Sequence, residues 1–400
     1  MDVPVADNLA SDRDKMKDEF RRNNKTFGQP TKGDTIMDRR KLLRVVGTGG
    51  LAAIIAAKSG PALSQNRKEW RMQMTWAKNS PALATGANVL AEFITKATSG
   101  ALTIKVLAAG EVVPPFQTMD AVANGTLHMG HGYPAYWAGQ VPAINFLAPV
   151  PFSITSQEQN AWFAFGGGQA MADKIYNKLG VKFFPSGNTS VQAAGWYNKE
   201  VNAVGDFKGM KIRAGGMGAK VLQAAGSVPV QMPLGEVPQA LQSGAIDGAD
   251  FVGPHNDMAF GLHKVAKFYY WPGWQEPCGA LDCFINLKAW ETLSAEQKEI
   301  VRVGNEYANA VVLNEFVAKN AMAYNQMISE HKVQVKIFND DTLKALGELA
   351  GNVIRAEAAK DPDSKAIFDS LMKFRADMMP YTKISEYEFM RARMLPFKYA

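Results

Sequence analysis

The sequence predicts an α/β fold of two lobes facing a central ligand cleft, with helices at the C-terminal end, on three observations. From Gln65 onward the hydrophobic periodicity switches between 3.6 and 2 residues, as in chains that alternate helices with strands. A weak internal repeat lays residues 121–131 (AVANGTLHMGH) over residues 240–250 (ALQSGAIDGAD), 119 positions later. Each copy is a helix end, a glycine stop and a short apolar strand closing on a polar residue, and open α/β sheets place ligands at that end of a strand. Beyond Trp290 long helical patterns dominate.

The elements follow in order. Ser80-Pro81 reads as an N-cap and first helical residue, Leu83, Ala87, Leu90, Phe93 and Ile94 share one helical face, and Gly100 stops the helix. Residues 102–107 alternate, with Leu102, Ile104 and Val106 inward and Thr103, Lys105 and Leu107 outward, until Ala109-Gly110 breaks the strand. The same grammar predicts helices over 117–124, 218–225 and 238–243 and a strand over 182–185. Helices are expected over 295–317, 341–359 and 362–376, the last opening on a proline.

A chain of 400 residues implies two or three compact units, and 47% hydrophobic with 20% charged residues excludes a disordered polypeptide. Two cysteines exclude a disulfide scaffold. The net charge of +6 is unevenly spread: residues 1–64 carry 12 Lys/Arg and 8 Asp/Glu, leaving 32 and 30 for the rest. A nearly neutral body gives nucleic-acid binding no electrostatic footing. The positive excess precedes an export signal. Asp38-Arg39-Arg40-Lys41-Leu42-Leu43-Arg44 leads into a mildly apolar run over 45–57, and Ala62-Leu63-Ser64 offers a cleavage site. Residues 37–64 therefore read as a twin-arginine signal and 1–36 as a leader or disordered extension. The apolar run, of about 13 residues with three glycines, is too short to span a bilayer.

Common catalytic signatures are missing: the chain has no Gly-x-Ser-x-Gly, His-Glu-x-x-His or Walker loop, and Gly215-Gly216-Met217-Gly218 does not fit the dinucleotide fingerprint. His128 and His131 have metal-ligand spacing only on a helix, whereas Thr126, Leu127 and Met129 favour a strand that sends them to opposite faces. Cys278 and Cys283 on an extended segment would lie about 16 Å apart, so a bridge requires a sharp turn, which Gly279 permits.

The best anion-recognition candidate is Lys211-Ile212-Arg213-Ala214-Gly215-Gly216. A strand delivers Arg213, glycines bring backbone N–H groups close, and a helix begins beyond. An exposed strand-end arginine is the plain alternative. Asp250-Phe251-Val252-Gly253-Pro254 puts an acid at a strand end, and Trp271-Pro272-Gly273-Trp274-Gln275-Glu276-Pro277 puts aromatics and an acid on a rigid loop. Acids beside aromatics in a cleft fit either a hard-cation site or a structural ion pair. Tyr133, Tyr136, Trp137 and Trp274 are candidates for a cleft wall or for core packing.

Gln192-Ala193-Ala194-Gly195-Trp196-Tyr197, the Arg213 segment, residues 242–254 and residues 264–276 together resemble the solute-binding subunit of tripartite ATP-independent periplasmic (TRAP) transporters. The similarity runs from about Lys68 to Met379 and is greatest to the branch that binds 2-oxo and 2-hydroxy monocarboxylates. It implies a two-lobed periplasmic binding protein fold that closes at a hinge. Lobe I would comprise 65–190 with 277–318, lobe II 191–276 with 319–368, and 369–400 a C-terminal helical tail. It implies substrate binding by Arg213, Gln192, Tyr136 and Trp274, with Arg213 pairing the carboxylate. It implies a sodium or calcium ion held by Gln192, Asp250, Glu276 and the carbonyl of Phe251. Asp250 is one methylene shorter than the glutamate expected in this branch, which keeps calcium open beside sodium. Members can dimerise by exchanging a C-terminal helix, and Phe374, Met378, Met379, Tyr387, Phe389 and Met390 make this tail apolar, so a homodimer is implied.

The resulting expectation is a non-catalytic periplasmic receptor that hands a small carboxylate to TRAP permease subunits. The alternatives are a metal-assisted enzyme using Asp250 or Glu276 as a base, and a ligand sensor for a membrane kinase.

Overall fold

The structure, a computed structural model, describes residues 67–398. The expected leader (1–36) and export signal (37–64) lie outside the described residues. Among the described residues eleven strands form two sheets: β1 (Lys68–Met74), β2 (Leu102–Leu107), β3 (Met129–Gly132), β4 (Val181–Asn188), β5 (Gly195–Tyr197), β6 (Lys211–Arg213), β7 (Val228–Val230), β8 (Gly248–Ala249), β9 (Phe268–Trp271), β10 (Ala280–Asn286) and β11 (Gln334–Ile337). One sheet has the order β2-β1-β3-β10-β4 and the other β11-β9-β5-β8-β6-β7.

The two sheets are built alike. In the first, β1 pairs in parallel with β2 and β3, and β10 runs antiparallel between β3 and β4. In the second, β6 pairs in parallel with β7 and β8, and β5 runs antiparallel between β8 and β9. Each reversed strand is the first one laid down after the chain crosses between sheets, β4 to β5 through 189–194 and β9 to β10 through 272–279. The crossings hydrogen-bond to each other, Thr189 N–H to Gly279 O at 3.1 Å and Gln192 N–H to Glu276 O at 3.1 Å. A third connection is the helix Ala295–Ser329, whose Val301, Ala308, Val312, Phe316 and Met327 are buried. These residues sit on one apolar core with Leu90 and Ile94 beside the first sheet and with Trp196 and Tyr269 of the second. A separate core joins Phe183 and Phe284 to Tyr197, Ile212 and Tyr270.

Several local expectations change. The first helix is Leu83–Ala97, and its N-cap is Ala82 at φ 55°, not Ser80, whose carbonyl instead accepts the Ala84 N–H. Gly100, at φ +77°, closes that helix by donating to Thr95 O at 2.9 Å. In β2, Leu107 is buried while Ile104 and Val106 are half-buried, because β2 is an edge strand and alternation is weakly enforced there. The helix from Ala295 runs beyond 317 to Ser329, since Phe316, Ala323 and Met327 keep one face apolar at helical spacing. The next two helices are Asp340–Ala358 and Pro362–Thr382, the latter continuing as helical turns Lys383–Tyr387 and Glu388–Arg393.

Cys278 and Cys283 are both free and buried, so no bridge forms. His128 and His131 do not converge. His131, on β3, places Nε2 3.1 Å from Ser186 O, and His128 accepts the Arg71 N–H through Nδ1 at 3.2 Å.

Candidate functional site

The strand ends converge between the sheets. Tyr133 and Tyr136 follow β3, where Pro134 starts a short turn Pro134–Trp137. Arg213 ends β6, Asp250 and Phe251 follow β8, and Gln192 and Glu276 ride the two crossings. The chain thus brings residues that follow each repeat copy, and residues of both crossings, to one cavity, lined by Tyr133, Tyr136, Gln192, Arg213, Phe251 and Glu276 among others. The space measures about 430 Å³ out to the mouth. Only a small solute fits without the cleft opening.

Polar contacts fix the geometry. The Arg213 guanidinium is 5% exposed; it donates through Nη1 to Asp250 O at 2.7 Å and lies 4.0 Å from Asp250 Oδ2. Asp250 Oδ1 accepts from Gln275 Nε2 at 3.0 Å, and that same amide donates to Ala193 O at 2.9 Å. Glu276 Oε1 accepts the Tyr133 hydroxyl at 2.8 Å. Gln192 donates through Nε2 to Thr189 Oγ1 at 3.0 Å, while its Oε1 is buried without a partner. Space around Gln192 is tight: a Cβ on Gly273 would come within 2.0 Å of its carbonyl oxygen, and one on Gly279 within 2.7 Å of its Nε2. The backbone there admits no larger residue, so the amide is held in place.

Burial controls the charges. Desolvation raises the carboxyl of Glu276, and the neighbouring Asp250 raises it further. Asp250 is raised by the same burial, against the pull of Arg213. Two buried carboxyls beside one guanidinium leave an excess of negative charge whenever both are ionised, and a cation relieves it. Among the described residues no three His, Cys, Asp or Glu side chains converge on a metal. The available donors are two carboxylates, the free amide oxygen of Gln192 and backbone carbonyls, an all-oxygen set suited to a hard cation.

Of the residues singled out from the sequence, Arg213, Gln192, Tyr136, Phe251 and Glu276 line the cavity, and Asp250 stands directly behind Arg213. Trp274 does not line it. Its ring is buried in the core, stacked on Phe152 at 5.7 Å, and its carbonyl accepts the Phe152 N–H at 2.9 Å. The loop faces the cleft through Glu276 instead, while Gln275 packs behind it, its amide on Asp250 and the Ala193 carbonyl. Sequence reading passed over Gln275, although it lies in the same Trp-Pro-Gly-Trp-Gln-Glu-Pro run. It also left Thr189 unremarked, since a lone threonine in a crossing carries no pattern.

Two α/β sheets joined by hydrogen-bonded crossings, with a buried arginine and two acids in the cleft between them, define a solute-binding protein of the hinged, two-lobed class. The chain belongs to the bacterial extracellular solute-binding protein family 7, whose model matches residues 72–361. It is 37% identical over 320 residues, 80% of this chain and 87% of the relative, to the monocarboxylate 2-oxoacid-binding periplasmic protein of Nostoc sp.. It superposes with a TM-score of 0.79 and 31% identity on a TRAP periplasmic solute-binding protein of Pseudoalteromonas atlantica solved with bound sodium and pyruvate, covering 81% of this chain and 99% of that one. A TRAP transporter solute-binding protein of Bordetella bronchiseptica, a mixed-occupancy dimer with copurified calcium and picolinate, gives the same TM-score and identity over 81% and 96%.

Proposed function

We propose that this protein is the receptor subunit of a TRAP transporter, capturing a 2-oxo or 2-hydroxy monocarboxylate together with a sodium or calcium ion and delivering it to membrane permease subunits. The observation that carries the reading is the buried, unpartnered Oε1 of Gln192, a residue that lines one cavity with Glu276 and Arg213. A buried amide oxygen with no partner costs about 1–3 kcal/mol, and a bound ion or ligand removes that cost. Gln192, Asp250, Glu276 and the Phe251 carbonyl would hold the cation, which supplies an electrophilic contact for the ligand oxygens. Arg213 pairs the carboxylate, and Tyr136 closes the wall. The Nostoc relative and the pyruvate-bound neighbour support the ligand class.

Formal charge favours calcium. With Asp250 and Glu276 ionised against Arg213, a monocarboxylate brings the cleft to two negative charges, which a divalent ion cancels and sodium halves.

We place the moving bodies at 65–190 with 277–318 and 191–276 with 319–368; the division of strands between sheets supports this. Export through a twin-arginine signal at 37–64 would bring the protein to the periplasm. A homodimer built on the tail is supported by the exposure of Ile384 (72%), Phe389 (62%) and Met394 (77%). The test of the receptor reading is a thermal melt of ligand-stripped protein against pyruvate and lactate, with and without sodium or calcium. A rise that needs both acid and cation supports it; a rise with neither acid sinks the ligand class.

A further inference from the structure

A second cavity adjoins the first and shares two of its lining residues, Tyr136 and Gly215. Tyr136 is half-buried and stands between them as a partition. At Gly215 the partition is open: an added Cβ there would meet nothing within 4 Å. The outer cavity measures about 830 Å³ out to its mouth and runs along one face of the helix Gly216–Ala224, past Gly216, Ala219 and Lys220. Its other wall is Asn145, from the turn Pro142–Phe146.

Its chemistry is mixed. The helix has no side-chain cap, so no N-cap side chain occupies its first-turn N–H donors at the positive end of the helix dipole. Asn145 is 2% exposed, and its Oδ1 is buried without a partner, 3.8 Å from where a Gly216 Cβ would sit. Lys220 is held 2.6 Å from Glu357, which also pairs Lys360 at 2.7 Å, so Lys220 reaches the wall already paired, within a trio of one net positive charge. N–H donors opposite an orphan acceptor match a group that both accepts and donates, which is a hydroxyl. A carboxylate would leave the Asn145 oxygen unsatisfied, and an alkyl chain would leave both walls unsatisfied.

We infer that the outer cavity is a second subsite that takes the hydroxylated tail of a longer 2-oxo acid, passing over Gly215, while the 2-oxo acid head stays with Arg213. The inference rests on the receptor reading above and extends it from pyruvate-sized ligands to polyhydroxy 2-oxo acids. Both walls are needed, since one comes from the segment beside β3 and the other from the segment beside β6.

Calorimetric titration with calcium present would test it, using pyruvate, 2-oxogluconate and 4-methyl-2-oxopentanoate. The hydroxylated acid should bind about tenfold or more tighter than the alkyl one, as one or two satisfied buried polar groups require. Asn145→Leu should remove that preference and leave pyruvate within about twofold. Gly215→Val, at an ordinary extended φ of −123°, should weaken the hydroxylated acid several-fold more than pyruvate, which covers the case of Asn145→Leu failing to fold. If pyruvate binds but the alkyl acid equals the hydroxylated one, or Gly215→Val affects all three alike, the subsite is refuted. If none of the acids binds, it is the receptor reading that falls.

Discussion

The Tyr133 hydroxyl donates to Glu276 Oε1 at 2.8 Å, tying the turn after β3 in the first sheet to the crossing that leaves the second. The bond reaches from the first body to the crossing at the edge of the second, so its loss should ease opening of the cleft. A hydrogen bond to a buried carboxylate contributes about 1.5–3 kcal/mol. Tyr133→Phe should therefore weaken ligand binding about tenfold or more, expressed as faster release. Stopped-flow dissociation would show it; an unchanged off-rate would mean that the bond does not latch the closed state.

Arg213 has two duties, and they separate by substitution. Its Nη1 holds Asp250 O at 2.7 Å and its charge faces two acids, so Arg213→Ala should abolish carboxylate binding and also lower the melting temperature of the ligand-free protein. Arg213→Lys keeps the charge without the planar fork. It should largely restore stability while binding stays at least about tenfold weaker, given the loss of one charge-assisted hydrogen bond. Full binding by the lysine variant would remove the bidentate role.

Asp250→Asn tests the cation. The amide can still accept from Gln275, so the fold should persist, while one negative ligand is lost. Calcium should then raise the melting temperature much less than in the native protein, and pyruvate affinity should fall with it. A calcium response equal to native would take Asp250 out of the cation site.

Most of the fold was legible because it rests on local grammar. Helix ends at Gly100, the strand expected over 182–185, which runs Val181–Asn188, and the paired motifs at 121–131 and 240–250 announce themselves through spacing and glycine stops. The site was legible in part. Arg213 and Asp250 stand out by residue type at strand ends and Glu276 on its loop, and Gln192 came only with the family resemblance; Trp274 was open between wall and core, because a loop tryptophan looks the same whether it faces a cleft or stacks on Phe152, 122 residues away in sequence. Gln275 went unseen because its importance is only the bond to Asp250, which is a fact of tertiary packing. The reversed strands β5 and β10 were equally out of reach, since strand direction depends on partners far along the chain.

Removal of the segment after Thr382 tests the tail. It deletes Ile384, Tyr387, Phe389 and Met394, all exposed, and leaves the contacts of Thr382 with Glu158 and of Arg375 with the Phe152 and Ser153 carbonyls. If the tail joins two copies, sedimentation of the truncated protein should report a monomer where the native protein is a dimer. Equal sedimentation of the two would place any dimer contact elsewhere.

Asp282 gives a pH dependence whose sign follows from its burial. It lies on β10, wholly buried, and its Oδ2 accepts the Trp137 indole N–H at 2.9 Å and the Tyr176 hydroxyl at 2.6 Å. Desolvation outweighs those bonds and pushes the carboxyl up to about 7. In the unfolded chain it titrates near an ordinary value of about 4. Between these values the folded state binds the extra proton, so the stability contributed by this group is complete below about pH 4 and is lost as pH rises to about 7. The loss amounts to a few kcal/mol. His131, lowered to about 4 by its own burial, acts in the opposite direction, because the unfolded chain takes up its proton first as pH falls below about 6.5. Asp282→Asn removes the first dependence and keeps the second, so the difference between native and variant isolates Asp282. Urea unfolding should find the native protein ahead of Asp282→Asn by more at pH 5 than at pH 8. Parallel profiles for the two proteins would mean that Asp282 is ionised in the fold at both pH values, with the indole and phenol bonds sufficient to hold its charge.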